Sequence, residues 1–273
     1  MNVTIIGCGY VGSAVARCWR QQGLTVTATT TTPERIPELA QLADRAIVVQ
    51  GTDASGLQAL LHHQQVVLLS VGAPNRSLYQ DTYLATAKTL VQLLSQNSSV
   101  EQVIYTGSYA VYGDHQGAWV TEESSIAPAN ENGEILAETE RALLSASSDR
   151  LKVCVLRLGG IYGPGRELVK IFGRIAGTTR AGDGTDASNW VHLDDIVGAI
   201  EFARVQQLQG IYNLVQDQPI TTGELFDAIF SKHNLLPIRW DPAQPSTRPY
   251  NARVSNQKLR AAGYQVQHPV IEP

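Results

Sequence analysis

Three glycines near the start of the chain have the spacing of a phosphate-binding turn. They form a G-x-G-x-x-G motif that reads Gly7-Cys8-Gly9-Tyr10-Val11-Gly12. In such a motif the first glycine permits a tight turn, the second lets the backbone approach a pyrophosphate, and the third lets a helix pack close to a strand. The N-terminus of that helix then presents N–H groups and its positive dipole end to the phosphates. The residues predict a dinucleotide site, and an ordinary structural turn is the alternative.

The elements on either side of the motif are those that such a site needs. Residues 2–6 are β-branched and apolar, which is typical of a buried parallel strand. Residues 13–22 carry apolar side chains at helical spacing, and Gly23 follows them as a natural C-terminal stop. The order of strand, glycine turn and helix makes the motif more specific than the glycines alone.

The same alternation of strand and helix continues along the chain. Further strands are predicted at residues 24–29, 46–50, 65–70, 102–106 and 153–158, and helices at 33–42, 57–62, 79–96 and 137–145. Six such units with short connections predict an α/β fold, a Rossmann-type, doubly wound parallel sheet. We expect a nucleotide-binding domain at 1–165, to which 187–212 returns, and a small C-terminal substrate lobe at 166–273.

The composition limits the classes of function. The chain has 273 residues, 43% of them hydrophobic, and 21 Lys and Arg stand against 25 Asp and Glu. This charge balance gives no electrostatic basis for binding nucleic acid or an anionic membrane. No apolar run reaches the roughly 20 residues of a membrane span, and the first strand lacks the basic leader of a signal peptide. Cys8, Cys18 and Cys154 fall in predicted core elements, which indicates reduced, buried thiols in a cytoplasmic protein.

The residues after the second predicted strand indicate which dinucleotide binds. Thr29, Thr30 and Thr31 stand where NAD sites usually carry an acidic residue, and Arg35 follows. Threonine hydroxyls and a guanidinium suit the 2′-phosphate of NADP. Glu34 could still reach the 2′-hydroxyl of NAD. The sequence favours NADP, with NAD as the alternative.

Two further segments would contact the adenosine half. Asp53 follows the third predicted strand, where it could bond the adenine amino group or simply cap a helix. The fourth strand ends in small residues that would flank the adenosine, namely Ser70, Val71 and Gly72.

Four segments in order carry recognisable patterns. Residues 106–113 read TGSYAVYG, 156–166 read LRLGGIYGPGR, 190–196 read WVHLDDI and 211–214 read IYNL. Together they resemble the extended short-chain dehydrogenases/reductases, the NAD-dependent epimerase/dehydratase family. The glycine spacing and the ending RVSNQKL at 253–259, followed by Gly263-Tyr264, are similar to an atypical, YeeZ-like subgroup of it.

The resemblance implies a catalytic serine and an altered tyrosine–lysine pair. Ser108 matches the family's serine, which holds a substrate hydroxyl or carbonyl. Asn130 stands at the tyrosine position and Glu134 at the lysine position. No tyrosine occurs between Tyr112 and Tyr162, and no lysine occurs from residue 89 to residue 151, so a shifted alignment does not restore the pair.

This change has a chemical consequence. A phenol with a pKa of ~10 becomes an acid or base near neutral pH only where a cation stabilises its phenolate. Asn130 exchanges no proton in that range, and Glu134, if ionised, would oppose a phenolate. Glu134 could still accept hydrogen bonds from the nicotinamide ribose. We therefore expect cofactor binding to survive and the usual proton relay to be lost.

Other side chains are weaker candidates for the missing chemistry. Proton donors are sought at Tyr109 and His115, and Tyr112 is expected to be structural. Anionic substrate groups could meet one of three arginines, for which a surface role is the alternative: Arg166, Arg180 and Arg248. The segment with His192, Asp194 and Asp195 is expected to be structural, with the aspartates capping a helix that begins at residue 196. No metal is expected.

Two hypotheses about function follow. In the first, the protein is an oxidoreductase or epimerase-like enzyme acting on a sugar-nucleotide or another small carbonyl or hydroxyl substrate. In the second, it is a catalytically silent NADP(H)-binding sensor or regulatory protein, which the Asn130 and Glu134 pair favours. The resemblance also implies a homodimer, for which the predicted helices at 79–96 and 137–145 could supply the helix bundle.

Overall fold

The chain alternates strands and helices in a computed structural model that describes residues 1–96 and 99–273. The strands are β1 Asn2–Ile6, β2 Thr25–Thr30, β3 Arg45–Val48, β4 Val66–Leu69, β5 Gln102–Ser108, β6 Asp114–Val120, β7 Lys152–Leu158, β8 Gly160–Tyr162, β9 Thr179–Ala181, β10 Ala187–Ser188, β11 Trp190–His192, β12 Gly210–Leu214, β13 Ile220–Thr221, β14 Arg239–Asp241 and β15 Asn251–Val254. The helices are α1 Tyr10–Gln21, α2 Ile36–Leu42, α3 Ala54–Leu61, α4 Thr86–Leu94, α5 Glu131–Leu144, α6 Leu168–Phe172, α7 Leu193–Val205, α8 Thr222–Lys232 and α9 Gln257–Ala261.

The chain forms two compact units. Unit 1 comprises Met1–Ser108, Glu131–Arg157 and Val197–Tyr212, and unit 2 comprises Tyr109–Asn130, Leu158–Ile196 and Asn213–Pro273. The segment that was expected to return to the first domain is therefore divided, with its residues from Val197 onward in unit 1. The assignment of residues 166–273 as a substrate lobe stays a prediction.

A seven-stranded parallel sheet flanked by helices confirms the predicted Rossmann-type α/β fold. Its strand order is β12-β7-β5-β4-β1-β2-β3, so the chain starts in the middle and winds outward in both directions. In the centre, Val3 of β1 lies between Val26 of β2 and Val66 of β4. All three side chains are buried, which explains why these strands have nearly continuous apolar sequences.

The helices cover the sheet with apolar side chains. One cluster joins Leu57 of α3 and Leu90 of α4 to strand residues such as Leu69 and Val103, all without exposed surface. Removing this much apolar surface from water is the main favourable term in folding. No helix among the described residues is both long and apolar enough to cross a membrane.

Two predicted helices differ most from the structure, while α1, α2 and α3 begin three residues from their predicted starts. Residues 79–96 were predicted as one helix, but Gln80–Ala85 is π-helical and continues into α4. The hydroxyl of Thr86 donates to the carbonyl of Asp81, five residues earlier, at 3.0 Å. Helix α5 begins at Glu131, six residues before its predicted start, because the polar residues of its first turn hide the helical period.

Unit 2 contains four two-stranded pairings. Strands β6 and β15, β8 and β11, and β9 and β14 pair in parallel, whereas β10 and β13 pair antiparallel. Helix α8 supplies Leu225, Phe226, Ile229 and Phe230 to the largest apolar cluster described in this unit. Strand β6 was not predicted, because its sequence DHQGAWV has no regular alternation of apolar residues.

A buried asparagine network explains two of the recognised motifs. Asn213 is fully buried; its Oδ1 accepts from the Tyr112 hydroxyl at 2.8 Å and its Nδ2 donates to the Ser255 carbonyl at 3.0 Å. The backbone N–H of Asn213 donates to the Glu122 carboxylate at 2.7 Å. Tyr112 therefore has the structural place expected of it, and the Glu122 carboxylate satisfies a buried backbone group.

A buried ion pair joins strand β7 to helix α5 in unit 1. Arg157 of β7 donates Nε and Nη2 to both carboxylate oxygens of Glu140 of α5, at distances down to 2.7 Å. The two side chains are 4% and 3% exposed. Burial raises the pKa of Glu140, and the Arg157 guanidinium opposes that rise. Each charge is thus stabilised mainly by the other.

Replacement of Arg157 by alanine should destabilise the protein strongly, because it leaves the Glu140 carboxylate buried without its cation. We expect a loss of about 3–5 kcal/mol in the free energy of unfolding, measured by urea denaturation. The double variant with Glu140→Met and Arg157→Met should lose much less, since buried pairs replaced by apolar residues are often near neutral. Lys170→Ala, which breaks an exposed pair with Glu167, is the control. Equal losses for the single and double variants would contradict this account of the pair.

Candidate functional site

The glycine turn joins β1 to α1 and is packed against the end of β4. Gly7 has a φ of +86°, and a Cβ placed there would lie 2.7 Å from the Ser70 carbonyl oxygen and 2.9 Å from the Val71 Cα. Only glycine combines this backbone conformation with this close approach. The turn is also tied to β2, because the N–H of Gly7 donates to Thr29 Oγ1 at 3.1 Å and that of Cys8 to the Thr29 carbonyl at 2.8 Å.

The other two glycines of the motif face different surroundings. A Cβ at Gly12 would lie 2.8 Å from the Gly7 carbonyl oxygen and 3.1 Å from Ile5 Cγ2, so this glycine allows α1 to pack closely on β1. A Cβ at Gly9 would meet no atom within 4 Å. Gly9 is also the N-cap of α1, with no side chain capping the helix and no acidic residue in its first turn. The turn thus has an open surface at the positive end of a twelve-residue helix.

Arg35 places a cation beside this turn. Its Nη1 donates to the Cys8 carbonyl at 2.6 Å, and its Nη2 lies 3.4 Å from Ser13 Oγ on α1. The other edge of the guanidinium binds Glu38, with 2.9 Å between Nη2 and Oε1. This ion pair raises the pKa of Arg35 and lowers that of Glu38. The structure therefore brings Arg35 and the glycine turn together, as an anion-binding group at the end of β2 requires.

The three threonines at the end of β2 differ in their environment. Thr29 is buried and its hydroxyl accepts the bond from Gly7 described above. Thr30 is also buried, and its hydroxyl accepts from the backbone N–H of Thr32 at 3.1 Å. Thr31 is exposed. Thr29 thus already supports the glycine turn, Thr30 stabilises its own segment, and Thr31 is the exposed threonine of the three.

The residues expected near the adenosine follow the ends of strands β3 and β4. Asp53 is the N-cap of α3, with Oδ1 accepting from the Gly56 N–H at 3.0 Å, so the capping alternative for this residue holds. Ser70 Oγ lies 3.2 Å from Thr106 Oγ1. Val71 packs on the apolar cluster of unit 1, and a Cβ at Gly72 would meet nothing within 4 Å.

The four predicted catalytic residues are divided between the units. Ser108 is the last residue of β5 in unit 1, and Glu134 is an exposed residue in the first turn of α5 in the same unit. Tyr109 and Asn130 belong to unit 2, where Asn130 is exposed and immediately precedes α5. Their joint action is a prediction that we take up below.

Tyr109 has a polar environment within unit 2. Its side chain is buried, and its hydroxyl lies 3.5 Å from Nη2 of Arg248. Asn189 also hydrogen-bonds to it, and the Tyr250 ring packs edge-on at 5.3 Å between centroids. Burial raises the pKa of Tyr109 strongly, and Arg248 and Asn189 oppose the rise. The phenol therefore stays protonated at neutral pH, and in this form it does not act as a base. Asn189 was not predicted from the sequence, because it lies just outside the motif at residues 190–196.

The remaining candidates are scattered over unit 2. Arg248 combines the Tyr109 contact with a short hydrogen bond to Thr222 Oγ1. Arg166 and Arg180 are exposed, and the Asp183 carboxylate accepts from the N–H and the hydroxyl of Thr185. The Nε2 atom of His115 is buried without a hydrogen-bond partner.

The expected helix caps at Asp194 and Asp195 are wrong. Helix α7 begins at Leu193, so both aspartates lie inside its first turn. The Asp195 carboxylate instead accepts from the backbone N–H groups of Gln267 and His268, the latter at 3.1 Å. The cysteines also differ in part from the prediction, because Cys8 and Cys154 are buried but Cys18 is only half-buried.

Alanine substitutions should separate the roles of the glycines. Gly12→Ala should lower the free energy of unfolding by about 1–3 kcal/mol, because its methyl group overlaps the Gly7 carbonyl. Gly9→Ala should cost less than about 1 kcal/mol, because its methyl group enters open space. Thermal and urea unfolding of both variants measure the difference. A Gly9→Ala variant as unstable as Gly12→Ala would contradict the open surface at Gly9.

Comparison with known proteins gives related chains across most of the sequence. Residues 3–214 match the profile of a family described as the NAD dependent epimerase/dehydratase family. Protein YeeZ of Escherichia coli K12 is 32% identical over 220 residues, 78% of this chain and 77% of its own. A 3-diazoavenalumate denitrifying reductase of Streptomyces is 25% identical over 279 residues, covering 96% of this chain and 91% of its own.

A solved structure shows the same fold. The dTDP-glucose 4,6-dehydratase of Bacillus anthracis, determined in complex with NAD, superposes with a TM-score of 0.80 at 17% identity, over 98% of this chain and 92% of the other.

Proposed function

Because the chain belongs to the NAD-dependent epimerase/dehydratase family, we propose that it is an NAD(P)-dependent oxidoreductase or epimerase-like enzyme whose dinucleotide lies on the glycine turn of unit 1. The open surface at Gly9 carries the proposal. It lies at the N-terminus of α1, in a turn that the packing of Gly7 and Gly12 holds in place. A diphosphate fits there because it approaches backbone N–H groups without meeting a side chain.

Arg35 supports NADP as the preferred dinucleotide. Its guanidinium donates to the Cys8 carbonyl, and the segment that ends β2 carries the exposed Thr31 and no carboxylate. A guanidinium recognises a phosphate through charge-assisted hydrogen bonds. Glu38 holds the other edge of Arg35, so a 2′-phosphate would compete with this carboxylate. The family's general use of NAD makes NAD the alternative.

The substrate chemistry would be carried by few side chains. A nicotinamide dinucleotide supplies hydride acceptance and donation when bound. Ser108 would hold a substrate hydroxyl or carbonyl, and Glu134 would accept hydrogen bonds from ribose hydroxyls. Asn130 would position groups without exchanging a proton. Tyr109, kept protonated by burial, would donate a hydrogen bond or a proton rather than act as the base.

The family supports a proposal for the substrate class. The dehydratase with the same fold is named for dTDP-glucose, and we propose a sugar-nucleotide or another small carbonyl or hydroxyl compound here. Arg248 is the cation best placed to meet an anionic part of it, because its guanidinium is half-buried and already oriented by Thr222 and Tyr109. The metabolic setting we propose is cytoplasmic.

A second function is favoured by one observation. Asn130 and Glu134 occupy the positions of the usual tyrosine and lysine, so the chain between residues 113 and 151 offers no phenol and no ammonium. A protein of this kind could bind NADP(H) and report its redox state without turnover. Both functions require the same dinucleotide site, and turnover distinguishes them.

Removal of the Arg35 side chain should weaken NADPH binding selectively. We expect Arg35→Ala to raise the Kd for NADPH at least about tenfold, because a charge-assisted hydrogen bond contributes roughly 1.5–3 kcal/mol. The Kd for NADH should change little. Glu38→Gln should tighten NADPH binding, since it frees the guanidinium. Fluorescence titration of the reduced coenzymes measures these constants.

Two controls frame that titration. Arg20→Ala removes an exposed arginine at the far end of α1, where it donates to the Gln41 carbonyl, and should leave both constants unchanged. Gly9→Ala should weaken NADPH and NADH equally. An Arg35→Ala variant that loses both coenzymes to the same extent would speak against a 2′-phosphate contact.

Turnover should depend on Ser108 if the protein is an enzyme. With UDP-glucose, dTDP-glucose and small aldehydes as probes, we expect Ser108→Ala to lower kcat/KM by about 100-fold, as loss of one transition-state hydrogen bond does. The absorbance of the reduced nicotinamide follows the reaction. The double variant with Asn130→Tyr and Glu134→Lys should gain activity on the same probes. Coenzyme binding without turnover in the natural chain, combined with a gain in the double variant, would favour the sensor.

A further inference from the structure

Two histidines and an aspartate converge at the start of α7, within unit 2. His192 ends β11, Asp194 lies in the first turn of α7, and His268 belongs to the C-terminal segment. The Asp194 carboxylate oxygen Oδ2 lies 3.4 Å from His192 Nδ1 and 3.5 Å from His268 Nε2. The possible ligand atoms of the three residues all lie within 4.8 Å of one another. Two imidazoles and a carboxylate are a ligand set that divalent transition metals use.

The imidazole rings of His192 and His268 lie close together. Their ring centroids are 3.8 Å apart, with 39° between the ring planes. Two imidazolium ions at this distance would repel, and Asp194 is the carboxylate that faces both rings. Burial and the neighbouring His268 lower the pKa of His192. Metal ions bind the neutral form of imidazole.

Other contacts support the His192 ring and the backbone of His268. The His192 ring packs edge-on against Tyr162, with 5.1 Å between centroids. The backbone of His268 is fixed because Asp195 accepts its N–H at 3.1 Å, and the Tyr264 hydroxyl donates to the Asp195 carbonyl at 2.8 Å. Beyond it, Ile271 is buried in the apolar core of unit 2. Such support from neighbouring groups orients the ligands of metal sites.

The third residue leaves a path for an ion. The Asp194 side chain is 57% exposed, whereas the side chains of His192 and His268 are 12% and 22% exposed. A hydrated cation could therefore reach the carboxylate first and then the two rings. His192 Nδ1 accepts a hydrogen bond from the Asp194 N–H at 3.2 Å. A metal ion bound to this nitrogen would displace that hydrogen bond.

We propose that His192, Asp194 and His268 bind a divalent transition-metal ion of the zinc type. Three protein ligands leave a coordination position for water or another small ligand. The ion would join the start of α7 to the C-terminal segment, two parts of the chain more than 70 residues apart in sequence. The proposal is independent of the coenzyme site and of turnover.

Titration of the full chain with Zn²⁺ tests the proposal. Isothermal calorimetry on chelator-treated protein should give one tight Zn²⁺ per chain and weak or no binding of Mg²⁺, which prefers oxygen ligands. His268→Gln and Asp194→Asn should each weaken Zn²⁺ binding by more than about tenfold. Added Zn²⁺ should raise the Tm of the natural chain and not that of either variant.

A matched control comes from another histidine pair. His62 and His63 also have ring centroids 3.8 Å apart, and both are exposed. The double variant with His62→Gln and His63→Asn should keep the full affinity for Zn²⁺; asparagine suits residue 63 because its φ is +64°.

Two results would overturn the proposal. The first is Zn²⁺ binding that disappears in the His62 and His63 variant and persists in His268→Gln. The second is no stoichiometric binding by the natural chain at all. If Asp194→Asn alters the fold, as circular dichroism without metal would show, the visible spectrum of Co²⁺ bound to the natural chain and to His268→Gln decides. A spectrum of protein-bound Co²⁺ that His268→Gln leaves unchanged counts against the site.

Discussion

The close packing of the glycine turn against the end of β4 is the constraint on which unit 1 depends. Gly7 lies where any Cβ would overlap the backbone at Ser70 and Val71. This contact fixes where β1 ends and α1 begins, and Gly12 then sets how near α1 lies to the sheet. The turn can expose its backbone at Gly9 only because its neighbours on both sides are immobilised. The packing that holds the fold together is thus also the packing that leaves the backbone open at Gly9, where we propose that a diphosphate binds.

The parts of the fold that depend on local pattern could be predicted from sequence. The strands of the central sheet are short apolar runs, and their order follows from the alternation with helices. Helix α5 and strand β6 lack such a pattern. The first turn of α5 is polar, and β6 is stabilised by pairing with β15, more than 130 residues later in the chain. Contacts between residues this far apart leave no local signal.

The candidate site divides in the same way. The glycine turn and the nearby arginine could be found from spacing, because their roles follow from backbone geometry and charge. The tether from Arg35 to the Cys8 carbonyl could not, nor could its competition with Glu38. For Asp194 and Asp195 at the start of α7, the spacing gave a wrong prediction. Their spacing suggested a helix cap, but the C-terminal segment supplies the N–H groups that Asp195 accepts. Where a side chain binds the backbone of a residue far away in sequence, the local sequence does not reveal its partner.

The thiol within the glycine turn has a consequence for chemical damage. Cys8 is 1% exposed, and burial raises its pKa. Since peroxides and alkylating reagents attack the thiolate, a cysteine that is both covered and protonated reacts slowly. The turn can therefore carry a sulfur atom at its centre and still keep its shape under oxidative stress.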